Sequence, residues 1–488
     1  MDSLGLLQGS SYGRSSLAKN QAEGDCVESG GDEKQTLVVV GGGAAGVYGA
    51  IWAKTACKHL KVVVLERGHF LSKVKISGGG RCNVTTGLFV EPLVKYSGRG
   101  VLLFKFWFQP LSQQYPRGHK ELRGSYFREH GPLETAAWFH EHGVPLKTEE
   151  DGRMFPVTDD SGTVVECLLN KARRIGGSFG LFTGNVEILA VSLKSNALVK
   201  DIVPLNGRFD VHFKNKNEPF SEKLQADFAL LATGSSPQGY KLAKELGHDL
   251  VSPAPSLFTF KVADSKLGEL AGVSFEHVSV DLEILGWNKR SVNLRQDGPL
   301  LVTHWGLSGP AVLRLSAWAA RDLLKVDYKG TLWVDFAPKF SLDEVKKLLV
   351  KQKTLSPRRK LDSGAPLVLQ LVKRFWQYLI HRQDLNEEAV WYELSNRQLG
   401  DLAGLLKRCS FQISGKGEFK DEFVTAGGVP LDEVNLKTME SKKCSNLYLA
   451  GELLNVDGIT GGFNFQNAWT SGYLSGSAIA KKATSRSL

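Results

Sequence analysis

Gly41-Gly42-Gly43-Ala44-Ala45-Gly46 fits the spacing G-x-G-x-x-G. It follows a β-branched run, Leu37–Val40, and opens an apolar segment with helical spacing from Ala44 to about Lys58. In that setting Gly41 permits a tight turn and Gly43 lets backbone approach a diphosphate. Gly46 lets the helix pack close to its sheet, and the helix N-terminus offers unpaired N–H groups to an anion. Glu66 ends the next β run, Val62–Leu65, 20 residues after Gly46, where a carboxylate can accept from ribose hydroxyls. Motif, setting and acid together predict dinucleotide binding. A glycine-rich core turn is the competing reading.

A second signal is "KVKISGGGRCNVTTG", Lys73–Gly87, where three glycines run into Arg81, Cys82 and Asn83. A third is "AGELLNVDGITGGFNFQNAWTSG": a strand ends at Ala450-Gly451, Glu452 follows, and Gly461-Gly462 opens a last helix, about Asn464–Lys481. An acid at a strand end suits ribitol hydroxyls. A helix N-terminus aimed at a flavin's N1–C2=O edge would stabilise negative charge on the reduced ring. No second G-x-G-x-x-G follows a strand, so no separate second nucleotide domain is expected. Together these features favour FAD over NAD as the bound dinucleotide.

Three residues are candidates for chemistry. Arg81 can hold an anionic substrate or balance a reduced flavin; the competing reading is an arginine on phosphate. Cys82 beside it is a candidate thiolate, set against a small packing residue with no partner cysteine. Asp457 lies between the strand-end acid and the glycine pair and is a candidate general acid or base, set against a turn aspartate in "VDG". Arg153 and Phe155-Pro156 are candidate pocket walls. His304 before "GLSGP" suggests a serine nucleophile, but the spacing G-x-S-G is wrong for a nucleophile elbow. Ser308 as N-cap with Pro310 in the first turn explains that stretch better.

These residues must be positioned by a chain of 488 residues, long enough for about three domains. Its 42% apolar and 23% charged content is that of a packed globular protein. The net charge of +10 suits anionic ligands, and a solvated basic surface explains it equally. Six scattered cysteines without C-x-x-C argue against a disulfide scaffold, a zinc site and a dithiol relay. They point to a reducing, intracellular setting. The longest apolar run, Leu37–Ala53, is short for a membrane span and centred on glycine and alanine. Residues 1–20 carry one acid, Asp2, a composition shared with organelle transit peptides. The expected location is therefore cytoplasmic, or an organelle such as the chloroplast.

Strand signals for one parallel sheet sit at both ends of the chain: Leu37–Val40, "ADFALLATGSS" (Ala226–Ser236) and "NLYLAGELL" (Asn446–Leu454). The middle must then be inserted into that sheet's domain. The expected division is a disordered tail at 1–34 and a first part of the dinucleotide domain at 35–255. An inserted β unit follows at 256–340, a helical subdomain at 341–408 and a β return at 409–428. The dinucleotide domain closes at 429–488. A basic run at 346–360 lacks interleaved aromatics and reads as a solvated helix face rather than a nucleic-acid site.

With these elements in view the chain resembles the BaiN/RdsA-type NAD(P)/FAD-dependent oxidoreductases, also called aminoacetone oxidase family FAD-binding enzymes, from Thr36 to Ala480. "VVVGGGAAG", "SGGGRCNVT", "GRMFPVTD" (Gly152–Asp159), "THWGLSGPAVLRLS" (Thr303–Ser316), "TAGGVPLDEV" (Thr425–Val434) and the C-terminal "AGELLNVDGITGGFNFQNAWTSGYLSG" carry the resemblance. It implies an α/β fold: a Rossmann-like, doubly wound FAD-binding domain of the glutathione-reductase type. An inserted β-barrel-like domain with a helical subdomain interrupts it. A more distant likeness to succinate dehydrogenase and fumarate reductase flavoproteins implies that Gly79, Gly80, Arg81 and Asn83 lie along FAD. By the same likeness Gly427 and Gly428 approach FAD from the substrate side, although Arg-Cys displaces Asn83 from the fumarate-reductase spacing. The expected cofactor-binding set also takes in Ala44, Ala45, Arg67, Cys82, Val186, Thr233, Gly234, Phe463 and Asn464.

The implied activity is hydride transfer through flavin N5 between a reduced nicotinamide and a small unsaturated or amine-type substrate. NADH or NADPH would dock transiently. The rival readings are an FAD-dependent RNA-modifying enzyme and a non-catalytic flavin sensor or scaffold.

Overall fold

The computed structural model describes residues 34–87, 111–175, 190–216, 218, 220–286, 294–386, 388–417 and 424–486. Residues 1–33 of the expected tail at 1–34, and Val186, lie outside them. Five parallel strands build the centre. Thr36–Val40 pairs in parallel with Lys61–Leu65 on one side and Phe228–Leu231 on the other. Leu447–Leu449 and Ser192–Lys194 extend the sheet in parallel on either flank. Two short antiparallel strands, Val434–Asn435 and Glu440–Ser441, complete a seven-stranded sheet at one edge. Leu37–Val40 and Phe228–Leu231 are buried throughout, as strands covered on both faces must be.

The helix Ala44–Ala56 starts directly after the first strand and packs on the last helix, Phe463–Arg486. Small residues make that contact possible. A Cβ on Gly472 would meet the Ala45 carbonyl oxygen at 2.7 Å, and one on Gly476 would meet the Ala53 nitrogen at 3.0 Å. The order of these contacts means that the two helices run in the same direction. Both starts therefore face one end of the sheet.

The inserted module is a closed barrel of six strands. Its strands are Phe260–Val262, Ser274–Ile284, Arg295–Thr303, Gly306–Ser308, Gly330–Asp335 and Cys409–Lys416. Helices Leu342–Leu355, Lys373–Arg382 and Asn396–Lys407 intervene between its fifth and sixth strands. Two of them begin with reciprocal caps, Ser341 with Glu344 and Ser395 with Gln398. The chain leaves the parallel sheet through Val251–Ser256 and returns through Val424–Gly428, and these two segments pair antiparallel. A three-stranded meander, Ala197–Leu205, Arg208–Asn215 and Ser221–Ala226, was not expected and flanks the sheet. One cap differs from expectation. The helix Pro310–Lys325 is capped by Gly309 at φ 96°, with Pro310 at its first position. The Ser308 hydroxyl accepts a bond from the Thr259 hydroxyl at 2.9 Å.

Candidate active site

Gly41 turns at φ 109° and donates its N–H to the Leu65 carbonyl at 2.9 Å, tying the turn to the neighbouring strand. A side chain there would enter the Ala232 carbonyl, so glycine is required by the fold itself. Gly46 is similarly closed, against Gly41 and against the Ala232 Cβ at 3.2 Å. Gly43 differs. It caps the helix at φ −81°, and a Cβ on it would meet nothing within 4 Å among the described residues. Ala44 and Ala45 follow as the first helical residues, so their N–H groups belong to the unpaired first turn. Glu66 is fixed at the next strand end, accepting from Gly42 N–H at 2.7 Å and Gly68 N–H at 2.8 Å. Arg67 beside it is exposed.

The GGGRCN stretch closes the short helix Ser72–Gly80, which leaves helical geometry from Ser77 to Gly79. Gly78, Gly79 and Gly80 all have positive φ, at 58°, 70° and 86°. Gly79 and Gly80 face open space, as Gly43 does. Arg81 is held by Glu149 and by Asp159 at 3.0 Å, with its guanidinium 3.9 Å above the Phe155 ring. Arg153 pairs with Asp151 at 2.6 Å and Glu149 at 3.0 Å, so Arg153 and Phe155 build a platform for Arg81. Cys82 is fully buried, and burial pushes its thiol up to about 12. That removes the thiolate at neutral pH. The Asn83 amide oxygen is buried without a partner among the described residues.

Thr233 also has a buried hydroxyl without a partner among the described residues, and Gly234 turns at φ 60°. Glu452 accepts from Thr425 N–H at 2.9 Å and pairs with Lys73 at 2.9 Å. Gly451 turns at φ 72° ahead of it. Three open glycine faces and two orphaned oxygens are what a bound dinucleotide would use: room for its backbone and acceptors for its hydroxyls. The residues fit FAD.

Residues 35–478 match the family model described as HI0933-like protein Rossmann domain. The chain belongs to the HI0933-like family. It is an FAD-dependent oxidoreductase. The HI0933-like chain is 28% identical to a 3-dehydro-bile acid delta(4,6)-reductase of Clostridium scindens over 91% of its length and 98% of the relative's. It is 26% identical to a ribosomal RNA dihydrouridine synthase of Haemophilus influenzae over 91% of its length and 98% of that protein's. A ribosomal RNA dihydrouridine synthase of Escherichia coli matches at 27% over 90% and 97%. Among the described residues no helix of this HI0933-like protein is long and apolar enough to cross a membrane.

The remaining expected residues have close neighbours in the protein itself. A Cβ on Gly427 would meet the Ser252 and Val251 carbonyls at 2.7 and 2.8 Å, and one on Gly428 the Leu454 carbonyl carbon at 2.9 Å. Gly462, at φ 88°, lies against the Thr85 backbone, and Gly461 against the Phe463 ring. Phe463 is buried and its carbonyl accepts from the Tyr115 hydroxyl at 2.7 Å. The Asn464 amide brackets Gly458, accepting from its N–H and donating to its carbonyl, both at 2.8 Å.

Asp457 is completely buried. Both its oxygens are taken by the fork of Arg117, and the Ser256 hydroxyl donates to it at 2.8 Å. Burial pushes its carboxyl above the ordinary range, and Arg117 and Ser256 pull it back. Arg117 also donates to the Ala317 carbonyl at 2.6 Å, so this pair ties the C-terminal loop to the barrel's helix. Arg81 and Asp457 thus have separate partners. Arg117, Glu149 and Lys73 were not singled out from sequence, because no local motif marks a residue whose partner is 340, 68 or 379 positions away.

Proposed function

We propose that the protein reduces a carbon–carbon double bond conjugated to a carbonyl, with NADH or NADPH as the diffusible reductant. One observation carries most weight: Gly43, Gly79 and Gly80 face open space, while the oxygens of Asn83 and Thr233 are buried and unpaired. These residues would hold FAD, which supplies hydride exchange when bound. The start of the helix Ala44–Ala56 would bind its diphosphate and Glu66 its adenosine ribose. Glu452 would meet its ribitol, and the start of the helix Phe463–Arg486 the flavin's N1–C2=O edge. Arg81, a third exposed beside the open glycines, is the proposed contact to substrate. Asp457, with no exposed surface, is a positioning residue.

The relatives' printed activities support the substrate class. A 3-oxo-4,6-diene steroid and the uracil ring each place a double bond beside a carbonyl. Overall, that bond takes up one hydride and one proton while one nicotinamide is oxidised. An RNA uracil is a second reading, favoured by two relatives and by the net charge of +10.

The test mixes FAD-loaded protein anaerobically with NADH or NADPH, then with a cyclic enone, a 4-en-3-one steroid or ribosomal RNA. The flavin is expected to bleach and recover, with two hydrogens gained by the product in mass spectrometry. Protein that stays colourless and takes up no FAD would overturn the reading. So would reduced flavin that no such acceptor reoxidises.

A further inference from the structure

A cavity of about 500 Å³ lies beside the proposed flavin site, between the helix Pro237–Glu245 and the paired crossings to the barrel. Pro237, Leu250, Pro253 and the Tyr240 ring give it apolar walls. Lys241 and Lys244 stand at its rim, three positions apart on one helix face, and both are exposed. Lys241 has only a 3.4 Å contact with Glu245, the kind of exposed pair that a ligand anion displaces at little cost.

Two features show that this is more than a surface dent. Tyr240 is 6% exposed, yet its buried hydroxyl has no partner among the described residues. A buried hydroxyl left without a partner is unfavourable, and a bound acceptor or donor would relieve it. The cavity also shares its wall with the flavin site. Ser235 lines it and accepts from Lys73 Nζ at 3.3 Å, while Lys73 pairs with Glu452. Thr425, another lining residue, donates its N–H to the same Glu452.

We propose that this cavity is the docking site of the nicotinamide nucleotide, which rests on the reductant named above. A nucleotide combines what the cavity asks for. It has a flat heteroaromatic ring for the proline, leucine and tyrosine walls and phosphate for the two lysines. Its ring or ribose polar groups suit the Tyr240 and Ser235 hydroxyls. Such a site also explains how a chain with one dinucleotide fold receives a second dinucleotide.

The test uses FAD-loaded protein and ADP-ribose or its 2′-phosphate, redox-inert fragments of NADH and NADPH, titrated by calorimetry. Wild type is expected to bind one of them. The double variant Lys241→Glu/Lys244→Glu should weaken binding tenfold or more, and Tyr240→Phe two- to fivefold. FAD content and reduction by dithionite should stay unchanged in both. The proposal is overturned if wild type binds neither fragment at millimolar concentration, or if the charge reversal leaves affinity unchanged. It is also overturned if the double variant loses FAD, since the cavity would then belong to the flavin. Fragment binding in a protein whose flavin neither NADH nor NADPH reduces would instead overturn the reductant assignment and leave the docking site standing.

Discussion

Two groups of glycines in this chain look alike in sequence and do opposite work. Gly43, Gly79 and Gly80 face open space, while Gly427, Gly428, Gly461 and Gly462 press on the chain's own atoms. In the first group the missing side chain leaves room for something that is not protein. In the second it lets distant backbone segments meet, with no room left over. A glycine-rich motif is therefore a statement about close approach, and the structure decides what approaches.

The closed side is held by long-range polar contacts, and breaking the strongest of them should have the largest effect. Arg117→Ala leaves the Asp457 carboxylate buried without its partner, at a cost of about 3–5 kcal/mol. Urea unfolding should show the loss, and holding the double variant Arg117→Met/Asp457→Leu near wild type would mark it as the cost of an orphaned charge. Equal loss in both would mean that the pair itself supplies the stability.

The second prediction concerns pH. His130 is buried, its ring bonded to the Tyr48 hydroxyl at 2.9 Å and its carbonyl held by Gln466 and Thr470 of the last helix. Burial lowers it to about 4 from 6.5. Between these values the folded state binds fewer protons than the unfolded state. The stabilisation is complete above about pH 6.5 and is lost as pH falls toward about 4. The loss is on the order of 3 kcal/mol. Replacing His130 by Gln should remove that share of the acid dependence of the unfolding midpoint. The same slope in variant and wild type would refute the assignment.

What was legible in the sequence follows from the range of the contacts. The turn at Gly41 to Gly46 and the strand-end place of Glu66 could be read because strand, turn, helix and next strand are consecutive. The doubly wound sheet with its inserted barrel was legible because its strand signals recur at both ends of the chain. Arg117 with Asp457 was not, since the partners are 340 residues apart and neither belongs to a periodic pattern. Nor was the fate of Gly427 and Gly428, because only the folded chain shows that Val251–Ser252 and Leu453–Leu454 occupy the space beside them. Ser308 misled for a local reason: the next residue, Gly309, reaches a φ of 96° that serine would resist, and so takes the cap.

The smallest expected effect is the sharpest test of the comparison. Gly43→Ala puts a methyl group at φ −81°, a conformation any residue adopts, with no atom within 4 Å. Thermal stability of the FAD-free protein should fall by no more than about 1 kcal/mol, the cost of alanine in place of glycine at a helix N-cap. FAD affinity should fall tenfold or more, about 1.4 kcal/mol, because the methyl group occupies the space assigned to the diphosphate. Gly462→Ala should behave in the reverse way. Its φ of 88° and its contact with the Thr85 backbone should cost roughly 2–3 kcal/mol of stability. Whatever folds should still bind FAD. If Gly43→Ala binds FAD as wild type does, the open face looks onto solvent alone, and the distinction between the two groups of glycines loses its functional meaning.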